Sequence, residues 1–515
     1  MAPPFANQAV GYKERRVPGN ENGGENCPAR YTSSGMNNDF SALESDPQYA
    51  SSELNAAELT TLDHRHVWHP FTPMSAWFSK KDPLIITHGQ DEYLYDIQGR
   101  RYIDGVSSLW CNIHGHRVPE LDAALQRQLS KIAHTTLLGA CNVPSIQLAA
   151  ELTQVAPAGL EKVFYSDNGS TAVEVALKMA FQYWQNIGRS EKTGFLSMTA
   201  AYHGDTLGAV SVGHIDAFHA PYRAMNFPSL RANLPQVPAR SPANSSIDSH
   251  IVPFSLFTEW DNYISNIIAA NARHLAAVVV EPVVQGAGGI LMQPRGTLSR
   301  LRKLCDEHEV LLICDEVMTG FGRTGALFAC DHEQISPDFL CLSKGLTGGY
   351  MPLGATLTHQ KIFDAFCGDP NAGRTFFHGH TFTGHPLACE VARVSLQLIL
   401  ERDLSRRAME MSRWIADGLK PLRDHPNVGD IRITGGIAAV EIVQQRDPLT
   451  PFPWQWRVGG KICRRLRAHG VLLRPLGDVV VIMPPLAAHK GSVDQICVGL
   501  QSVMSQFSGL LTDLG

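Results

Sequence analysis

A chain of 515 residues, 44% of them hydrophobic, exceeds the usual size of one domain, so two packed units and a tail are expected. Its formal net charge of −5 is small for that length and no block rich in Lys or Arg appears, which argues against nucleic acid and anionic membrane surfaces as partners. No apolar run approaches the roughly 18 to 20 residues that cross a bilayer.

Met1-Ala2-Pro3-Pro4-Phe5 is not the charged and then apolar opening of a secretory leader. Eleven cysteines lie scattered with no C-x-x-C pair, and Cys314 and Cys341 fall inside apolar runs. That is how a cytoplasmic protein uses cysteine, as a small apolar residue. The alternate pairs His64/His66 and His378/His380 lack clustered carboxylates or thiolates, so no metal site is expected.

In chain order, residues 1–60 are rich in Asn, Gly, Ser, Pro and Glu and carry no sustained apolar period; they read as a disordered tail. The short strand at 162–165 leads into Ser166-Asp167-Asn168-Gly169-Ser170-Thr171, which opens a helix whose apolar stripe is Val173, Ala176, Leu177, Ala180, Phe181 and Trp184. A loop rich in Ser, Asn and Pro at 238–250 reads as a surface insertion. Strand-like 276–280, helical 297–308 and strand-like 310–314 follow, and the run 339–343 ends just before Lys344. Alternation of this kind from about 145 to 360 implies an α/β fold, a mainly parallel sheet covered by helices. After residue 395 come long helices, then strand-rich 427–443 and 471–483, which suit a smaller α+β domain.

Lys344 alone could be an ordinary solvated loop charge. Asp315, however, ends the run before it, so a carboxylate and an amine emerge at the ends of two neighbouring strands, where open α/β sheets bind ligands. Gly169 and Ser170 in a first helical turn, an ordinary cap when taken alone, offer free N–H groups, a hydroxyl and the positive end of the helix dipole to a phosphate. Phosphate site, carboxylate and lysine together describe pyridoxal 5′-phosphate, held covalently by Lys344. The run Gly286-Ala287-Gly288-Gly289-Ile290-Leu291 fails as a dinucleotide motif because Leu291 occupies the third glycine position.

At this point the chain resembles the class III aminotransferases of fold type I. The resemblance rests on Trp68-His69-Pro70-Phe71-Thr72, Gly105-Val106-Ser107-Ser108, Ile113-His114-Gly115-His116, Tyr202-His203-Gly204-Asp205-Thr206, Glu281 through Gly289, Asp315-Glu316-Val317, Gly320-Phe321-Gly322-Arg323-Thr324-Gly325, Leu342-Ser343-Lys344 and Arg474-Pro475. It implies a seven-stranded, mainly parallel sheet in a large cofactor domain at 121–394. The smaller domain at 395–515 would be completed by 61–120. It further implies Asp315 at the pyridine nitrogen, Tyr202 against the ring with its hydroxyl toward the substrate, and Lys344 as both anchor and proton shuttle. Gly379, His380 and Thr381 would approach the phosphate from a second subunit, which makes the enzyme a homodimer with a shared active site.

The branch that it resembles most converts 8-amino-7-oxononanoate to 7,8-diaminononanoate in biotin synthesis. Arg474 matches the arginine that holds the acceptor carboxylate, and a guanidinium suits that task because it binds carboxylate through two parallel hydrogen bonds. Ala287 stands where many relatives place a glutamate that would neutralise it. Phe71, Leu109 beside a retained Trp110, His380 and Leu476 depart from the pattern expected for S-adenosylmethionine as amino donor and favour L-lysine, with Asn112 and His380 offered to the distal ammonium. An ω-amino acid or diamine transaminase, and a silent cofactor-binding scaffold, remain as alternatives.

Overall fold

The computed structural model describes residues 55–80, 83–235 and 254–512. The tail at 1–54 and the 238–250 insertion lie outside the described residues. The chain divides into two compact units, Met1–Pro83 and Leu84–Gly515.

In the first unit, Asn55 caps the helix Ala56–His66 reciprocally with Glu58, a pairing that satisfies two orphan N–H groups. Residues 56–60, assigned above to the tail, therefore begin a helix. The cap outweighs the polar composition there. Asp63 accepts from Trp77 Nε1 at 2.6 Å and lies 2.8 Å from His69 Nε2. Phe71 is 54% exposed with a left-handed φ of 50°.

The second unit is organised by a seven-stranded sheet. Its order is Leu160–Ser166, Gly354–His359, Phe339–Leu342, Leu311–Asp315, Leu275–Val280, Gly194–Met198 and Leu230–Ala232. Gly354–His359 runs antiparallel to both neighbours, and the remaining pairs are parallel. Every residue of Leu275–Val280 and Leu311–Asp315 is buried, as expected of strands covered by helices on both faces.

The helix Gly169–Asn186 packs Ala172, Val173, Ala176, Leu177, Ala180, Tyr183 and Trp184 inward. Phe181 departs from the expected stripe. At the edge of the apolar arc it is 41% exposed, and Tyr183 takes the inward place.

A four-stranded antiparallel sheet, in the order Val428–Thr434, Ile437–Ile442, Val479–Ile482 and Arg474–Leu476, shares a separate apolar cluster with helices Leu404–Leu419, Val458–Leu466 and Lys490–Ser505. Strand Val471–Leu472 pairs in parallel with Arg101–Asp104, at the edge of a sheet formed with Ile86–Gln90 and Tyr93–Asp96. No described helix is long and apolar enough to cross a membrane.

Candidate active site

Three adjacent strands end in ionisable groups on one edge of the large sheet. Glu281 follows Leu275–Val280, Asp315 ends Leu311–Asp315, and Lys344 comes two residues after Phe339–Leu342. Lys344 itself takes a left-handed φ of 46° as the chain leaves its strand for a single 3-10 turn. Burial lowers its pKa, the Asp315 and Glu281 carboxylates oppose that shift, and Arg323 adds to it. Its Nζ lies 4.7 Å from the centre of the Trp110 ring.

Asp315 Oδ2 lies 2.8 Å from Nδ1 of the buried His203, and its Oδ1 accepts from Val317 N at 3.1 Å. Burial alone would depress the His203 pKa, but the hydrogen bond and charge of Asp315 outweigh it and raise it. Glu281 accepts from Tyr202 N at 3.1 Å and from Gly286 N at 2.7 Å. Desolvation pushes its pKa up to about 7, against the pull of His203 and with the repulsion of Asp315.

These groups face a cavity of about 240 Å³ whose far end is the start of helix Gly169–Asn186, with Gly169 and Ser170 in its lining. The approach is close by construction. A Cβ on Gly204, at φ 124°, would fall 2.2 Å from Ser170 Oγ, and one on Gly169 would fall 2.5 Å from Val317. Tyr202 and Val317 also line the cavity, and the buried His203 Nε2 has no hydrogen-bond partner among the described residues. An amine and a carboxylate at one end and a helix N-terminus at the other fit a flat phosphorylated cofactor such as pyridoxal phosphate. The Tyr202 hydroxyl differs from expectation. It donates to Asp205 Oδ2 at 2.8 Å because the turn at Gly204 brings that carboxylate beside it.

The opposite wall comes from irregular backbone. Ser107, Ser108 and Trp110 all have left-handed φ, at 49°, 59° and 67°, a conformation that costs non-glycine residues about 1–3 kcal/mol each. Trp110 and Ala287 line the cavity, and Leu109 is 46% exposed. Leu476 packs in one apolar cluster with Trp110, Met318 and Ala287. Arg474, two residues earlier on that strand, is exposed and outside the cavity lining, with no ion-pair or hydrogen-bond partner among the described residues.

Gly379, His380 and Thr381 also lie outside the lining; His380 Nδ1 is 2.9 Å from Asp167. Asn112 is taken up by His116 and Cys111, at 3.0 Å each. Asn112 is therefore not an uncommitted acceptor for a lysine ammonium, whereas His380 Nδ1 makes no hydrogen bond among the described residues despite its approach to Asp167. Sequence reasoning left His203, Glu281, Val317 and Met318 without roles, although all four lie in or beside motifs already singled out. Their signal was their position immediately after buried strands or, for His203, between Tyr202 and Gly204.

Fold and site agree with the comparison to known families: the chain belongs to the class III aminotransferases, the family described as "Aminotransferase class-III" matching residues 76–504. It is 48% identical over 457 residues, 89% of this chain and 99% of the relative, to the adenosylmethionine-8-amino-7-oxononanoate aminotransferase of Geobacter sulfurreducens. To the protein of the same name from Nitratidesulfovibrio vulgaris it is 47% identical over 442 residues, 85% of this chain and 80% of the relative. Among solved structures, the adenosylmethionine-8-amino-7-oxononanoate aminotransferase of Methanocaldococcus jannaschii superposes with a TM-score of 0.81 at 36% identity, covering 87% of this chain and 98% of that one. A PLP-bound amine transaminase from an uncultivated Pseudomonas species gives 0.79 at 34% identity, covering 86% and 98%.

Proposed function

We propose that this chain is a pyridoxal-phosphate aminotransferase that converts 8-amino-7-oxononanoate to 7,8-diaminononanoate in biotin biosynthesis. The observation that carries the reading is the convergence of Lys344, Asp315, Gly169 and Ser170 on one cavity, joined to an Arg474 without a carboxylate partner on a strand packed against the cavity wall. When bound, the cofactor supplies an electron sink for the negative charge left when a proton leaves the amino-bearing carbon.

The protein's part follows from its own groups. Asp315, oriented by His203, presents a negative charge to the pyridine nitrogen and favours its protonated form. Lys344 carries the cofactor and afterwards moves the proton; burial depresses its pKa and raises its neutral, proton-accepting fraction. Ser170 and the free N–H groups of the first helical turn would hold the phosphate. Tyr202 and Val317, both in the cavity lining, would hold the ring, and Asp205 keeps the tyrosine hydroxyl turned. Ala287 leaves Arg474 free for the acceptor's carboxylate. Leu109 and Trp110 would line the substrate path. We divide the chain into a cofactor domain at 121–394 and a small domain at 395–515, a reading supported by the separate apolar cluster of the latter, which Ile103 and Val106 join.

S-adenosylmethionine and L-lysine are both carried as donors. The former is in the names of the relatives, and the latter is favoured by the aliphatic Leu109 and Leu476, since a flat adenine gains about 0.5–1.5 kcal/mol per stacked ring. Stopped-flow absorbance separates them. Each donor is mixed with loaded enzyme, and the true donor bleaches the bound-cofactor band at a rate compatible with turnover. No bleaching by either, with bleaching by an ω-amino acid, would replace this reading by the ω-transaminase one, which draws on structural neighbours of that name at 30% identity.

The enzyme is read as a cytoplasmic homodimer. Leu138 at 89%, Phe377 at 84%, Val143 at 66% and Leu129 at 60% exposure are large apolar side chains that a second copy would cover, and that copy would bring Gly379, His380 and Thr381 to the phosphate. Leu138→Asp is expected to shift sedimentation toward a monomer and weaken cofactor retention; an unchanged dimer removes that surface from the interface.

A further inference from the structure

One connected set of polar side chains has no part in the reading above. Asp104, at the end of strand Arg101–Asp104, is fully buried. Its Oδ1 accepts from Ser108 N at 2.8 Å, and its Oδ2 accepts from Ser108 Oγ at 2.9 Å and faces His116 Nε2 at 3.0 Å. A carboxylate there assigns the proton to Nε2, which leaves Nδ1 as acceptor for Asn112 Nδ2 at 3.0 Å. Asn112 Oδ1 then accepts from Cys111 Sγ at 3.0 Å. One neutral tautomer of His116 satisfies every link from Ser108 to Cys111.

Two glycines make room for this set. A Cβ on Gly89 would lie 2.8 Å from His116 Cγ, and one on Gly349 would lie 2.2 Å from Asn112 Oδ1. The His116 backbone is also tied in both directions to Asp91, at 2.6 and 3.0 Å. The imidazole therefore has little freedom to turn.

At one end the set grips Ser108, inside the strained segment that carries Leu109 and Trp110. At the other it rests on Gly349, in the loop that leaves Lys344. We propose that Asp104, His116 and Asn112 are positioning residues that fix the Leu109 and Trp110 wall relative to the Lys344 loop. They set how tightly substrates are held and leave the proton transfer at Lys344 unaffected. The inference rests on the aminotransferase reading of the site.

The test uses His116→Gln, His116→Asn and His116→Leu in the cofactor-loaded enzyme. A glutamine amide can reach the Nε2 position and donate to Asp104, whereas an asparagine amide reaches only the Nδ1 position. His116→Gln is expected to keep KM for donor and acceptor within about threefold, while Asn and Leu raise KM about tenfold or more with kcat within about threefold. Cofactor absorbance and the thermal midpoint identify folded, loaded variants, and should His116→Leu fail to fold, the Gln and Asn pair still decides. Amide hydrogen exchange over residues 106–112, which needs no substrate, should rise in the Asn and Leu variants and stay at the wild-type level in Gln.

A fall in kcat at constant KM, a Gln variant as impaired as Leu, or unchanged KM and exchange in all three would overturn the proposal. If the wild-type enzyme turns over neither donor with 8-amino-7-oxononanoate, the functional reading fails by itself, and the exchange measurement still judges the positioning role.

Discussion

At one end of the cavity, Glu281, Asp315 and Lys344 stand at the ends of three adjacent strands, so their spacing follows from the roughly 4.8 Å between hydrogen-bonded strands. Along the opposite wall, Ser107, Ser108 and Trp110 are held in left-handed backbone, and position there depends on individual side-chain hydrogen bonds. The first end is a property of the sheet and tolerates no change of residue type. The second can be altered piecemeal, which is what diversification of substrate requires. Changes at the sheet edge should therefore abolish chemistry, and changes at the strained wall should redistribute affinity.

The largest expected effect breaks the sheet-edge side. Lys344→Ala should lose transamination altogether while folding normally, and borohydride reduction of the wild type followed by peptide mapping should find the cofactor on Lys344. Asp315→Asn comes next, with turnover down about a hundred- to a thousandfold for the loss of one oriented charge in a desolvated site; an activity near wild type would mean that His203 and not Asp315 governs the ring.

Arg474→Ala sharpens the contrast from the substrate side. The acceptor half-reaction should weaken by roughly 2 to 5 kcal/mol if a desolvated charge pair is cut, and the donor half-reaction should change less; equal losses would make Arg474 structural.

The smallest effect concerns pH. Glu281 rises from 4.5 to about 7 on folding, so its contribution to stability is complete below about 4.5 and lost as pH climbs to about 7. In cofactor-free protein, thermal midpoints of wild type and Glu281→Gln should therefore diverge in favour of Gln across that window. Parallel curves would mean that Glu281 stays ionised throughout.

The sheet-edge half was legible in the sequence because strands buried on both faces write themselves as continuous apolar runs, and Asp315 and Lys344 interrupt two of them. The helix at Gly169 was legible through its period. What escaped lies in contacts made across sequence distance. Nothing near Tyr202 says that its hydroxyl turns to Asp205, since the turn at Gly204 is visible but its direction is not. Asn112 looked available to a ligand, and only the fold reveals that His116 and Gly349 enclose it. Phe181 failed for a geometric reason, standing one step beyond the arc that the large sheet covers.

The antiparallel strand has a kinetic consequence. Lys344 lies in the loop 343–353, whose flanking strands pair with each other from Leu342 with Ala355 to Phe339 with Thr358. A Cβ on Gly354 would fall 2.3 Å from the carbonyl of Asn168, so the return strand starts wedged against the phosphate-side helix. Anchored at both ends, the loop cannot carry the amine away once substrate has displaced it. A lysine released by substrate would stay tethered beside the cavity, at an effective concentration that such groups can raise to about 10⁵ M and above. Recapture at the close of the second half-reaction would then be a local event that does not wait on diffusion, and a ping-pong enzyme that releases its lysine once per cycle would keep it at hand for the return.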